Sequence, residues 1–208
     1  MIIFLFPIMY FILSLIAKDM FAKEGEAFVL MHVILVPIMI MATIVAEEKE
    51  KGTLKLLMLS GVSTLEYIIG IMIALMTCII FGLLAFVVLG ALQSDTSVQH
   101  DIIILYCAVC SMVIGGMIGV SVPNLMSVSL VALPVILIIF FMPMIGILQP
   151  QTKCITGLFY SSVANDILMG SELTIGRIGI LVLNFVLIVI LFSVFFQKKR
   201  ILQDVRKR

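Results

Sequence analysis

Tryptophan is absent from this chain, histidine occurs twice, and charge is scarce. Its 208 residues hold thirteen Lys and Arg and twelve Asp and Glu, for a net charge of +1. That near-neutrality excludes the broad basic field of a nucleic-acid binder. Charged residues make up 12% of the chain, where a soluble domain has about 25%. No acidic or basic residue falls in the middle of an apolar run. Proton-coupled carriers and charged filters place such residues there, so neither class is expected. No G-x-x-x-x-G-K-[ST] loop occurs, and the chain cannot cradle ATP phosphates by that route. No H-E-x-x-H occurs either, and His100 beside Asp101 sits in a polar turn. No catalytic set, metal or cofactor is expected. Of the four cysteines, Cys78, Cys107 and Cys110 lie in apolar runs and Cys154 stands alone in a loop. Cys107-x-x-Cys110 lacks a second pair and reads as helix packing, not as a metal or disulfide framework.

What is present is hydrocarbon. Hydrophobic residues make up 63% of the chain, and mean hydropathy is +1.32. The expected fold is all-α: a polytopic membrane protein forming a single transmembrane domain over 1–208. Six apolar runs are expected to span, at about 1–17, 27–46, 67–92, 102–121, 124–148 and 178–196. Each approaches or exceeds the roughly 20 residues that cross a bilayer as a helix. The first run competes with a signal peptide, but nothing basic precedes Lys18, which favours a span.

Several residues inside the runs invite a role. Pro37 predicts a kink, and Pro134 with Pro143 a bend or break near Pro143. His32 is either a polar site on a substrate path or a packed, hydrogen-bonded residue. Gly115 and Gly119 stand at the spacing that lets helix backbones approach closely, inside the subunit or between subunits. Asn184 is expected to bond to another helix. The connector 149–177 is not simply polar, since Phe159, Val163 and Ile167 fall four apart. It predicts one or two short helices lying at, or dipping into, the outer membrane interface, with Ser161 and Ser162 as candidate caps.

Orientation follows from basic residues. With six spans, one side holds Lys49, Lys51, Lys55, Lys198, Lys199, Arg200, Arg206, Lys207 and Arg208. The other holds only Lys18, Lys23, Lys153 and Arg177. Cytoplasmic loops carry the excess, so the richer side and both termini are expected in the cytosol of a multi-pass cell-membrane protein.

The stretch 47–66, EEKEKGTLKLLMLSGVSTLE, holds Glu47, Glu48, Lys49, Glu50, Lys51, Lys55 and Glu66 between two spans. Charges at that density belong in water or at the bilayer surface. Thr53 to Ser60 is too short to span, yet puts Leu54, Leu57 and Met58 on one helical face. A short cytosolic helix lying across the membrane surface is expected.

Glu47-Glu48-Lys49-Glu50-Lys51-Gly52-Thr53-Leu54-Lys55, then Ser60-Gly61-Val62-Ser63 and a long third span, resembles the ABC-2 type transporter permeases. In that family an acidic run, Gly-Thr-Leu, a short helix and a Pro/Gly-Val-Ser-like turn follow the second span. The six-span plan, the short turn after span four and the connector before span six extend the likeness over nearly the whole chain. Two features depart from it. The family has an amphipathic helix before span one, and many members carry Pro where this chain has Gly61.

The resemblance implies a permease subunit without its own ATP site. Thr53–Ser60 would be a coupling helix docking in a groove of a separate ATPase, present in two copies. Glu47, Glu48, Glu50, Gly52, Thr53, Leu54, Leu57 and Met58 would form the coupling surface. A second permease chain, identical or related, would complete the pathway among membrane lipids. The cargo would be amphipathic or lipid-like: a peptide antibiotic, a drug or a lipid-linked glycan. Rival readings are a haem-export-type permease of cytochrome c maturation and a non-transporting membrane scaffold or immunity protein.

Overall fold

The computed structural model describes residues 5–16, 25–53, 56, 59–61, 63–88 and 98–205, and no strand occurs among them. The long helices are α1 (Leu5–Ile16), α2 (Gly25–Lys51), α3 (Thr64–Val88), α4 (Val98–Ser121) and α5 (Ser127–Leu148). A 3-10 turn, Pro150–Thr152, leads to the short α6 (Lys153–Thr156) and α7 (Tyr160–Leu168), and α8 (Ile175–Val205) closes the chain. Helix is the expected answer for such runs. Hydrocarbon offers no partner to a backbone N–H or C=O, so each segment must satisfy its own.

Among the described residues, five helices are long and apolar enough to cross a membrane: α2, α3, α4, α5 and α8. The molecule is an all-helical, membrane-embedded protein. The expected first span is helical over Leu5–Ile16, twelve residues. That is about 18 Å of helix, short of the roughly 30 Å of a hydrocarbon core; the rest of that run lies outside the described residues.

The bundle is built around α2 and α4. In each, 61% of the most apolar stretch is buried, against 22% in α3 and α5 and 6% in α8. The outer helices turn large apolar side chains outward, Ile73, Leu130 and Val182 among them. A soluble protein would place polar residues there. Two glycines set the closeness of the central pair. A methyl group on Gly115 would fall 2.6 Å from the Ile38 carbonyl oxygen, and one on Gly119 would fall 2.7 Å from Val45 Cβ. The small-residue spacing therefore serves the α2–α4 seam within the chain. His32 lies on this seam's far end, fully buried edge-to-face with Phe86 at 5.6 Å between ring centres.

Three expectations change. Helix α2 does not stop at Ala46 but continues through the charged residues to Lys51. Glu and Lys are good helix formers, and Lys51 pairs with Glu47 one turn back at 2.5 Å. Helix α5 runs unbroken through Pro134 and Pro143, so the expected break near Pro143 is absent. The connector does form two short helices, but α7 goes deeper than an interface and packs into the bundle against α2, α4, α5 and α8.

The path of α7 follows from its bonds. The Tyr160 hydroxyl meets Ser111 Oγ at 3.1 Å, near the middle of α4. The Ile167 carbonyl meets His100 Nε2 at 2.9 Å, in the first turn of α4. Helix α7 thus lies along the N-terminal half of α4. The turn before it sits at mid-depth, where Asn184 Nδ2 donates to the Leu158 carbonyl at 2.6 Å. Asn184 itself stands near the middle of the apolar stretch Ile175–Val194. Irregular backbone at that depth is tolerated only when buried in protein and satisfied. Ser161 and Ser162 are not caps: Phe159 holds the cap position, and both serines are buried inside the first turn.

Candidate functional site

The charged elbow begins where α2 outlasts its apolar stretch. Lys49 and Glu50 reach sideways from its last turn. Lys49 Nζ donates to the Val120 carbonyl at 3.1 Å and to that of Val122. Both carbonyls belong to the end of α4, where four C=O groups lack helical partners and a cation is favoured. Glu50 Oε2 accepts from the Leu125 N–H at 2.8 Å. Asn124 Oδ1 accepts from the Ser127 N–H at 3.0 Å and starts α5. Two neighbouring side chains of α2 therefore fasten the 122–126 turn.

Past Lys51 the chain reverses direction at glycines. Gly52 has φ 74° and Gly61 φ 95°, a region that costs little only without a Cβ. Between them, Leu56 N bonds to Gly52 O and Ser60 N to Leu56 O at helical spacing. Thr53 Oγ1 donates to the Glu48 carbonyl at 3.1 Å and ties this segment to the end of α2. Leu56 and Leu59 are 66% and 74% exposed.

Helix α3 then starts with a reciprocal cap. Ser63 N donates to Glu66 Oε2 at 2.8 Å, and Glu66 N donates to Ser63 Oγ at 3.3 Å. Two orphan donors are satisfied at once. Glu48 lies close to the Tyr67 hydroxyl, one residue further along α3.

The structure thus brings Glu47, Glu48, Glu50, Gly52 and Thr53 together around the end of α2. Leu54, Leu57 and Met58 lie outside the described residues. Glu47 is engaged with Lys51 and Glu50 with the Leu125 amide, so both carboxylates already have partners within the chain. Sequence reasoning missed Lys49 as a fastener, Leu56 and Leu59 as exposed apolar residues, and the Ser63–Glu66 cap. The cap was readable from S-x-x-E before an apolar run. The fastener was not, because its partners are backbone atoms 71 and 73 positions away.

Among the described residues, nothing at the elbow pairs a nucleophile with a base. It offers a short helical segment with outward leucines, set between glycines and joined to the ends of α2, α3, α4 and α5. No protein-family model, curated protein or solved structure matches this chain.

Proposed function

We propose that the chain is the membrane permease subunit of an ATP-binding-cassette exporter. In this reading six spans cross the cell membrane and both termini face the cytosol. The Thr53–Ser60 segment is the coupling helix. A separate ATPase, in two copies, binds below it, and a second permease chain completes the path. The cargo is amphipathic or lipid-like, and the chain contributes path and lever while its partner hydrolyses ATP.

The observation that carries the reading is the build of the elbow. A partner groove needs an exposed apolar ridge on a short helix, and Leu56 and Leu59 supply one. A lever also needs stiff arms. Helix α2 continues unbroken into the elbow, the Ser63–Glu66 cap fixes the start of α3, and Lys49 and Glu50 link the elbow to α4 and α5. A push on the elbow is therefore felt by four helices, which is how closure of an ATPase dimer would bias the spans between two states.

The test is co-purification from native membranes, wild type beside Leu54→Asp/Leu57→Asp and Leu56→Asp/Leu59→Asp. An ATPase subunit is expected with wild type and lost from at least one double variant, with the permease still inserted. Absence of any ATPase from wild type would sink the reading, as would failure of the reconstituted pair to move cargo in vesicles.

A further inference from the structure

A cavity of about 470 Å³ lies at the end of the molecule opposite the elbow, between the last turns of α5, the α6–α7 segment and the first turns of α8. Its volume is within the range of roughly 300–1,000 Å³ usual for small-molecule sites. We propose that it binds the phosphate-bearing headgroup of an anionic amphiphile, with the apolar tail leaving along α5 and α8. This inference stands apart from the exporter reading and does not need an ATPase.

Charge selects an anion. Lys153 and Arg177 line the cavity, against one carboxylate, Asp166. Among the described residues, no carboxylate lies within 4.0 Å of the Lys153 ammonium. Arg177 is only loosely held by Asp166, Nη2 to Oδ2 at 3.6 Å, while its Nη1 donates to the Glu172 carbonyl at 2.7 Å. A guanidinium carries five N–H donors in a planar fork matched to phosphate oxygens. Most of that fork is open to a ligand.

Ser162 gives the second, independent sign. It lines the cavity and is only 5% exposed, and its hydroxyl has no hydrogen-bond partner among the described residues. A serine in a helix ordinarily turns its hydroxyl to the carbonyl four residues back. Here the residue four back is Leu158, which precedes the extended Phe159 at the start of α7, so its carbonyl is out of helical register. The position of Ser162 in the first turn thereby leaves its hydroxyl over for the cavity. A buried hydroxyl without a partner is unfavourable, and a phosphate oxygen would satisfy it. The remaining wall includes Ile147 and Ile180, with Ile147 68% exposed. An acyl chain can lie there without burying a polar group.

The test is native mass spectrometry of the delipidated full chain in detergent, offered phosphatidylglycerol and phosphatidylcholine in equal amounts. Wild type is expected to retain phosphatidylglycerol preferentially, by about tenfold. Lys153→Gln/Arg177→Gln should abolish the preference, and Ser162→Ala should lower it about threefold. Asp166→Asn should raise it, because Arg177 loses its competing carboxylate. That opposite sign keeps the test decisive even if the Arg177 variant misfolds. A tail variant, Lys198→Gln/Lys199→Gln/Arg200→Gln, should retain the preference. Millimolar glycerol phosphate separates the sources: displacement of the lipid means the headgroup suffices, and persistence of the lipid means the tail is needed. Loss of the preference in the tail variant, or its survival in the Lys153/Arg177 variant, would overturn the proposal.

Discussion

The two ends of this bundle treat polar groups in opposite ways. At the elbow end, polar side chains stay at the surface and reach backbone atoms there: Lys49 to Val120 and Val122, Glu50 to Leu125, Thr53 to Glu48. Leucines are left outside. At the connector end, a hydroxyl pair is drawn into the packed interior, and a half-buried imidazole and carboxamide hold backbone carbonyls beside it. The Tyr160 phenol is buried and meets Ser111 Oγ at 3.1 Å. The difference is one of replaceable bonds. Where water can take over, a bond is cheap to break and its owner can change partners; where it cannot, the full desolvation penalty falls due. The elbow end is suited to exchanging contacts and the connector end to keeping its shape.

The comparison can be broken in order of expected effect. Gly115→Leu should cost about 3 kcal/mol, because its side chain meets Ile38 backbone in the seam that holds both ends together. A thermal unfolding midpoint unchanged from wild type would mean the seam is looser than described. Tyr160→Phe should cost about 2 kcal/mol, and Ser111→Ala added to it should recover part of the loss. A strictly additive double-mutant cycle would show that the pair does not couple. Lys49→Met should cost about 1 kcal/mol, since water replaces the ammonium at Val120 and Val122. Hydrogen exchange should then rise at 122–127 and leave 160–168 unchanged. If Lys49→Met proved costlier than Tyr160→Phe, the contrast between the ends would be reversed. Ser63→Ala should cost least, about 0.5 kcal/mol, read as faster exchange in the first turn of α3 alone.

Composition made the apolar helices legible, because runs such as Ala27–Ala46 and Ile178–Phe196 have nowhere else to go. Their ends were less legible. The charges of Glu47–Lys51 mark where water begins, but not where the helix stops, since an i,i+4 pair of good helix formers carries it on. The elbow was located by charge, while its apolar face was ambiguous. In LKLLML every position but one is apolar, so periodicity cannot choose between Leu54, Leu57 and Met58 on one side and Leu56 and Leu59 on the other. The re-entry of α7 was hidden for a different reason. Its serines resemble caps locally, and what pulls them inward is Tyr160 meeting Ser111, 49 positions away. Lys153, Arg177 and Ser162 likewise carry no motif. They converge only because α6 and α7 both pack on α5 and α8 packs on α7.

The mid-depth turn also imposes a schedule on biogenesis. Ser111 and His100 are already in place when α7 leaves the ribosome, but Asn184 follows Leu158 by 26 residues. Until α8 enters the membrane, the Leu158 carbonyl lacks the amide that satisfies it. An unsatisfied carbonyl is costly in hydrocarbon, so docking of the turn is expected to wait for α8. A thiol introduced as Ala164→Cys, at a site 1% exposed in the finished protein, should react with a water-soluble reagent in chains arrested at residue 174. It should become protected once residues 175–205 are added.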